Sequence, residues 1–94
     1  MNIRFYLDPA TGQPHIFAHS VAEEDVEDVL TNPVEDRPGR EGARVVIGRT
    51  AGGRYLKVVY ARDPKPDSIF VITAYELRGR PLQAYRRRLR KRQR

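Results

Sequence analysis

Hydrophobic spacing divides the chain into short segments of different period. Ile3, Phe5 and Leu7 alternate with Arg4 and Tyr6, the period-2 pattern of a half-buried strand, and Asp8-Pro9-Ala10-Thr11-Gly12-Gln13-Pro14 is turn chemistry that ends it. Ser20-Val21-Ala22-Glu23 has the form of a capping box, in which the Ser20 hydroxyl accepts the Glu23 amide and Glu23 reaches back. Ala22, Val26, Val29 and Leu30 then share one helical face, five acids load the first two turns, and Asn32-Pro33 stops the helix. Glu35 to Gly42 reads as a polar loop. Arg44–Thr50 and Arg54–Arg62 are β-rich runs joined by Ala51-Gly52-Gly53, a hairpin signature. After a second loop, Ile69 to Leu77 is apolar at both parities, which predicts a central strand with Ile69, Val71, Thr73 and Tyr75 on one face. Gly79 and Pro81 open a last helix, whose apolar stripe is only Leu82, Tyr85 and Leu89. The order is β-α-β-β-β-α, an α+β domain over residues 1–85 with a basic helix end over 86–94.

Composition narrows the class. With 94 residues there is room for one small core. Cysteine is absent, which removes disulfides, thiolate nucleophiles and the usual structural zinc sites. No apolar run approaches a membrane span, and Met1-Asn2-Ile3-Arg4-Phe5 lacks the order of a secretory signal, so a cytoplasmic domain is expected. The net charge of +6 conceals a polarity: residues 1–36 hold one base and eight acids, and residues 37–94 hold seventeen bases and four acids. Fifteen of the eighteen bases are Arg, whose planar fork suits phosphate, so RNA or an acidic protein is the expected partner.

The candidate chemistry follows from that charge. His15 and His19 are the only histidines; the capping box places both ahead of the helix and no third ligand stands near, so no metal and no cofactor is expected. Phosphate loops, dinucleotide fingerprints and serine-nucleophile elbows are also absent. RNA cleavage needs none of these, because the 2′-hydroxyl is the nucleophile and the protein has only to move protons and stabilise charge. His19 and Tyr75 are the candidates for proton transfer. Arg49 and Arg54, at the two ends of a tight turn, are expected to lie together as an anion site, with Lys57 and Arg62 on the same strand as Arg54. Arg86, Arg87, Arg88 and Arg90 form a basic run suited to phosphate backbone. Two other readings stand beside cleavage: a non-catalytic module that binds RNA or a ribosomal surface, and protein interaction through residues 22–30.

Three stretches resemble one family group. His19-Ser-Val-Ala-Glu-Glu-Asp-Val-Glu-Asp-Val-Leu-Thr-Asn-Pro33 resembles the His-helix-Pro segment of BrnT-like toxins. Ile47-Gly-Arg-Thr-Ala-Gly-Gly-Arg-Tyr-Leu-Lys-Val-Val59 resembles their hairpin, and Phe70-Val-Ile-Thr-Ala-Tyr-Glu-Leu77 with Tyr85-Arg-Arg-Arg88 their closing strand and basic helix. The resemblance implies a RelE-like fold with a small antiparallel sheet. It also implies endoribonuclease activity on mRNA, including ribosome-bound mRNA, and neutralisation by a small cognate antitoxin; with no carboxylate constellation suited to magnesium in the sequence, that cleavage is expected to be metal-independent. His19, Arg54 and Tyr75 fall on the group's motifs, and Tyr75 stands where better-studied relatives carry Arg.

Overall fold

Two apolar layers, one on each side of a single sheet, organise the chain. The computed structural model describes residues 2–65 and 67–92. Met1, Pro66 of the second predicted loop, and Gln93 and Arg94 of the predicted basic end lie outside the described residues. The elements run β1 (Asn2–Phe5), a 3₁₀ turn (His15–His19), α1 (Glu23–Thr31), β2 (Glu35–Pro38), a short 3₁₀ turn (Arg40–Gly42), β3 (Arg44–Arg49), β4 (Tyr55–Arg62), β5 (Ser68–Glu76) and α2 (Gly79–Arg92). This is the expected α+β class, with strand order β1-β5-β4-β3-β2.

Two features depart from the sequence expectation. The sheet is mixed rather than antiparallel, because β1 pairs with β5 in parallel register, Asn2 opposite Ser68 through Phe5 opposite Val71. Alternation reads the same in either direction, so the period of β1 carries no information on its orientation. The segment read as a loop from Glu35 contains β2, an edge strand paired only with β3. Its sequence Glu-Asp-Arg-Pro has no apolar alternation, and Pro38 at its end suits an edge.

The first layer packs Ile16, Val21, Val26 and Val29 against Val46, Leu56, Val58, Val71 and Ala74. Val26 and Val29 are fully buried, each contributing about 1.5–3 kcal/mol by removal from water. Gly48 lets α1 come close: a Cβ there would lie 3.2 Å from both the Asn32 carbonyl oxygen and Val29 Cγ1. The N-cap of α1 is Ala22, not Ser20. Ser20 takes a left-handed φ of 58° to close the preceding 3₁₀ turn, and the Ala22 N–H donates to Asp25 Oδ2 at 2.9 Å. The acidic reach-back therefore comes from Asp25, two residues later than the Glu23 of the predicted box.

The second layer is smaller: Ile47, Leu77 and Tyr85, flanked by Tyr55, Leu82 and Leu89. α2 adds an ionic clamp. Arg88 donates from Nε and Nη2 to the two carboxylate oxygens of Glu35 at 2.7 and 3.1 Å, and Arg92 Nη1 donates to the Val34 carbonyl at 2.8 Å. The Glu35 side chain is 3% exposed, and the hydrogen bonds from Arg88 hold its carboxyl below the usual range. α2 runs through residue 86 to Arg92, and Arg88 and Arg92 hold its last turns against Glu35 and Val34. The Tyr85 hydroxyl is buried and has no hydrogen-bond partner among the described residues, and burial raises its pKa.

A bulge sets the faces of β5. Val59 lies opposite Thr73 but Tyr60 lies opposite Val71, so Ile72 is an extra residue. The face alternation inverts there, and Ala74 rather than Thr73 follows Val71 into the core. Tyr75 consequently stands on the α2 side of the sheet, opposite Ile69 and Val71, with which sequence parity grouped it.

At the other end of the sheet Asp63 accepts Arg4 Nε and Nη2 at 2.9 and 2.8 Å and the Ser68 hydroxyl at 2.6 Å. These bonds, from Arg4 first and Ser68 next, lower its pKa to about 2. An unfolded aspartate titrates near 3.9. The stabilisation is therefore present above pH ~4 and is lost as pH falls through about 2. Asp63→Asn is expected to lose less stability than the wild type between those limits; urea unfolding midpoints across the range measure the difference.

Candidate functional site

The half of β5 that β1 leaves uncovered is flanked by the 3₁₀ turn, and that juxtaposition assembles a row of side chains. Lys57 lies opposite Tyr75 in the β4–β5 ladder, with its Nζ 5.9 Å from the Tyr75 ring centroid. Beyond Tyr75 stands His19 at 6.1 Å, then His15 at 5.0 Å from His19, then Tyr6 at 6.0 Å from His15, all centroid to centroid. Tyr75 and Lys57 are half-buried, while His19 is exposed. His19 Nε2 and His15 Nε2 approach to 3.3 Å, and His15 Nδ1 faces Asp8 Oδ2 at 3.8 Å.

Of the three residues singled out for chemistry, the structure brings His19 and Tyr75 together and gives Arg54 a different task. Arg54 Nη2 donates to the Ser20 carbonyl at 2.9 Å and to Asp25 Oδ2 at 3.2 Å, and Nη1 reaches Glu76 Oε1 at 3.5 Å. Its guanidinium is occupied by protein acceptors on the α1 side of the sheet. It is next in sequence to neither His19 nor Tyr75, yet it holds the neighbour of each, Ser20 and Glu76.

The expected pairing of Arg49 with Arg54 does not occur. Arg49 lies opposite Tyr55 in the hairpin, so Arg54, one residue earlier, faces the other side. Arg49 instead places its guanidinium carbon 5.6 Å from the Tyr55 ring centroid, and Arg86 of α2 approaches the same ring at 5.8 Å. Gly53, with φ +90°, leaves room for Arg49: a Cβ there would sit 3.4 Å from Nη2. Arg49, Arg86, Lys57 and Tyr75 therefore share the α2 side of the sheet. Arg87 and Arg90 are exposed on α2 beside Arg86, lining a shallow groove with Gln83. Arg88 is committed to Glu35 and is not available to a phosphate. Arg62 ends β4 seven residues from Tyr55, roughly 23 Å away at strand rise, near the Arg4–Asp63 pair.

Sequence reasoning singles out His19 of the two histidines for proton transfer and does not reach Tyr6, Tyr55 or Glu76. The four-residue spacing of the histidines was the available signal for the first. The register of the hairpin, which sets Tyr55 opposite Arg49, was the signal for the second arginine site. Among the described residues no group of three or more His, Cys, Asp or Glu side chains is arranged to hold a metal ion, and no helix is long and apolar enough to cross a membrane.

Residues 15–76 match the family described as Domain of unknown function (DUF4258), and the chain belongs to that family. The matched span opens at His15 and closes at Glu76, so it contains both histidines, Arg54, Lys57 and Tyr75, and leaves β1 and α2 outside. No curated protein and no solved structure matches the chain.

The geometry assigns Arg54 a positioning role with a measurable cost. Arg54→Ala leaves two part-buried carboxylates and a carbonyl without their shared donor, and is expected to lower unfolding free energy by about 1–3 kcal/mol. Arg54→Lys should restore part of it, since one ammonium cannot span all three acceptors. Denaturant unfolding of the three proteins tests this.

Proposed function

We propose that the chain is the ribonuclease of a toxin–antitoxin pair, cleaving mRNA, free or ribosome-bound, without a metal. The observation that carries this reading is the succession Lys57, Tyr75, His19. The Lys57 ammonium lies 5.9 Å and the His19 ring centre 6.1 Å from the centre of the Tyr75 ring, which groups a cation, a phenol and an imidazole around one position. His19 takes the proton of the 2′-hydroxyl, whose oxygen forms a bond to phosphorus. The phosphorus–O5′ bond breaks, and Tyr75 gives its phenolic proton to the departing oxygen. The products are a 2′,3′-cyclic phosphate and a 5′-hydroxyl end. Lys57 stabilises the extra negative charge on the phosphoryl oxygens, the part that Arg54 would have played had it been free. Arg49 and Arg86 continue the cationic surface along the same side of the sheet. The partner expected from the resemblance is a small antitoxin protein that covers this surface, and the setting is the cytoplasm.

Incubation of the purified chain with single-stranded RNA or translating ribosomes in EDTA is expected to give cyclic-phosphate ends. His19→Ala, Tyr75→Phe and Lys57→Ala should each slow single-turnover cleavage by roughly 10²-fold. Folded protein that leaves RNA intact in both settings refutes the enzymatic reading.

A second reading, RNA binding without cleavage, is favoured by α2. Arg86, Arg87 and Arg90 have no carboxylate partner among the described residues, whereas Arg88 and Arg92 do. If these three neutralise phosphates, replacing all of them with Gln should flatten the slope of log affinity against log salt by about 2 for single strands. The loss should be alike for unrelated sequences, because phosphate contacts do not read bases. A salt titration of RNA binding measures the slope, and an unchanged slope refutes phosphate contact by these three arginines.

A further inference from the structure

The two histidines do more than lie side by side. The sequence placed both in irregular chain ahead of α1; the structure winds residues 15–19 into a 3₁₀ turn that brings their rings into contact. Their Nε2 atoms are 3.3 Å apart and the rings meet at 82°. Two zinc–nitrogen bonds of about 2.0–2.1 Å at a tetrahedral angle put their nitrogens roughly 3.3–3.4 Å apart. The contact is a hydrogen bond between the two rings, and its nitrogen–nitrogen separation equals that of two adjacent ligands of one ion, which would take the place of the shared proton.

The surroundings of His15 support the same tautomer that a ligand requires. Its backbone N–H donates to the Tyr6 carbonyl at 2.8 Å, fixing the start of the turn on the end of β1. Its Nδ1 faces Asp8 Oδ2 at 3.8 Å, while Asp8 Oδ1 is held by the Ala10 N–H at 2.9 Å. A carboxylate on the Nδ1 side favours the proton there, so His15 Nε2 accepts the hydrogen bond from His19 Nε2–H, and the shared proton is the one an ion displaces. At the far side, Tyr75 limits the swing of His19.

We infer that His15 and His19 form a two-ligand site for a divalent transition ion of the zinc type, with Asp8 as the outer carboxylate that orients His15. Only imidazole nitrogens are supplied, so the site selects zinc, nickel or copper over magnesium and calcium, which take oxygen ligands. Two protein ligands leave the rest of the coordination sphere to water, which makes the ion exchangeable. The consequence rests on the proposed ribonuclease reading: an ion bound to His19 withdraws electron density from the imidazole that accepts the 2′-hydroxyl proton, so the metal is an inhibitor and not a cofactor.

Binding is tested first, without RNA. Calorimetric titration of the metal-stripped full chain with zinc chloride at pH 7.5 is expected to show one saturable site. His15→Gln and His19→Gln should each weaken it by more than about tenfold, Asp8→Asn by up to about tenfold, and Tyr75→Phe should leave it intact. Magnesium should give no saturable heat. Absence of zinc binding by the folded wild-type chain, or affinity unchanged in both histidine variants, overturns the site. The consequence is tested separately: zinc should inhibit cleavage by the wild type, while His15→Gln should cleave and resist inhibition at the same zinc concentration. Zinc binding with no cleavage under any condition would refute the ribonuclease reading and leave the metal site standing. Cleavage unaffected by saturating zinc would overturn the inhibitory role.

Discussion

One guanidinium ties together three parts of the chain that are distant in sequence. Arg54 leaves the hairpin and reaches the Ser20 carbonyl at the close of the 3₁₀ turn, Asp25 in the first turn of α1, and Glu76 at the end of β5. Asp25 is at the same time the acceptor for the Ala22 N–H, so the cap of α1 and the link to the sheet share one carboxylate. Without the arginine, the two acids would be left partly desolvated and without their common counter-charge, which costs more than the net value of the contacts themselves. The row of rings inherits its geometry from this link. His19 precedes Ser20 and Tyr75 precedes Glu76, so the two rings each stand next in sequence to a residue that Arg54 holds.

The charge polarity of the sequence is in part an internal matter. Acids from residues 25–36 meet bases from residues 44–92: Asp25 with Arg54, Asp36 with Arg44, and Glu35 with Arg88 and Arg92. The terminal arginines, a single run in sequence, separate on the helix into two sets. Arg88 and Arg92 are four apart and turn together toward β2, whereas Arg86, Arg87 and Arg90 remain outward. An arginine count overstates the cationic surface, because the helical period decides which members are spent on the fold.

Much of the fold was legible because several elements are locally determined. The hairpin of β3 and β4 follows from two β-rich runs around Ala51-Gly52-Gly53, and the stripe of Val26, Val29 and Leu30 fixes the buried side of α1. The rest needed tertiary information. β2 is held by its ladder with β3 and by Glu35 under Arg88, neither of which leaves an apolar pattern. The cap moved from Ser20 to Ala22 because the 3₁₀ turn claims Ser20 for its left-handed end. At the site, residue types pointed to His19 and Tyr75, but the same reasoning gave Arg54 to a phosphate. A cation in sequence does not disclose its acceptors, and Asp25 and Glu76 lie 29 and 22 residues away.

The bulge at Ile72 joins the stability of the molecule to its surface chemistry. With an unbroken ladder, Tyr75 would share the core side of the sheet with Val71, and Glu76 would point to the α2 side, away from Arg54. The extra residue inverts both at once, which brings Ala74 into the first layer, aligns Tyr75 with Lys57, and turns Glu76 to the guanidinium. Its cost is one exposed isoleucine in a strand otherwise well used, 38% accessible. A bulge beside a site commonly re-aims a single side chain; this one re-aims two neighbours to opposite sides with opposite duties. The ionic link and the row of rings are therefore not independent features that happen to be adjacent. Both depend on the same one-residue slip in the pairing of β4 with β5.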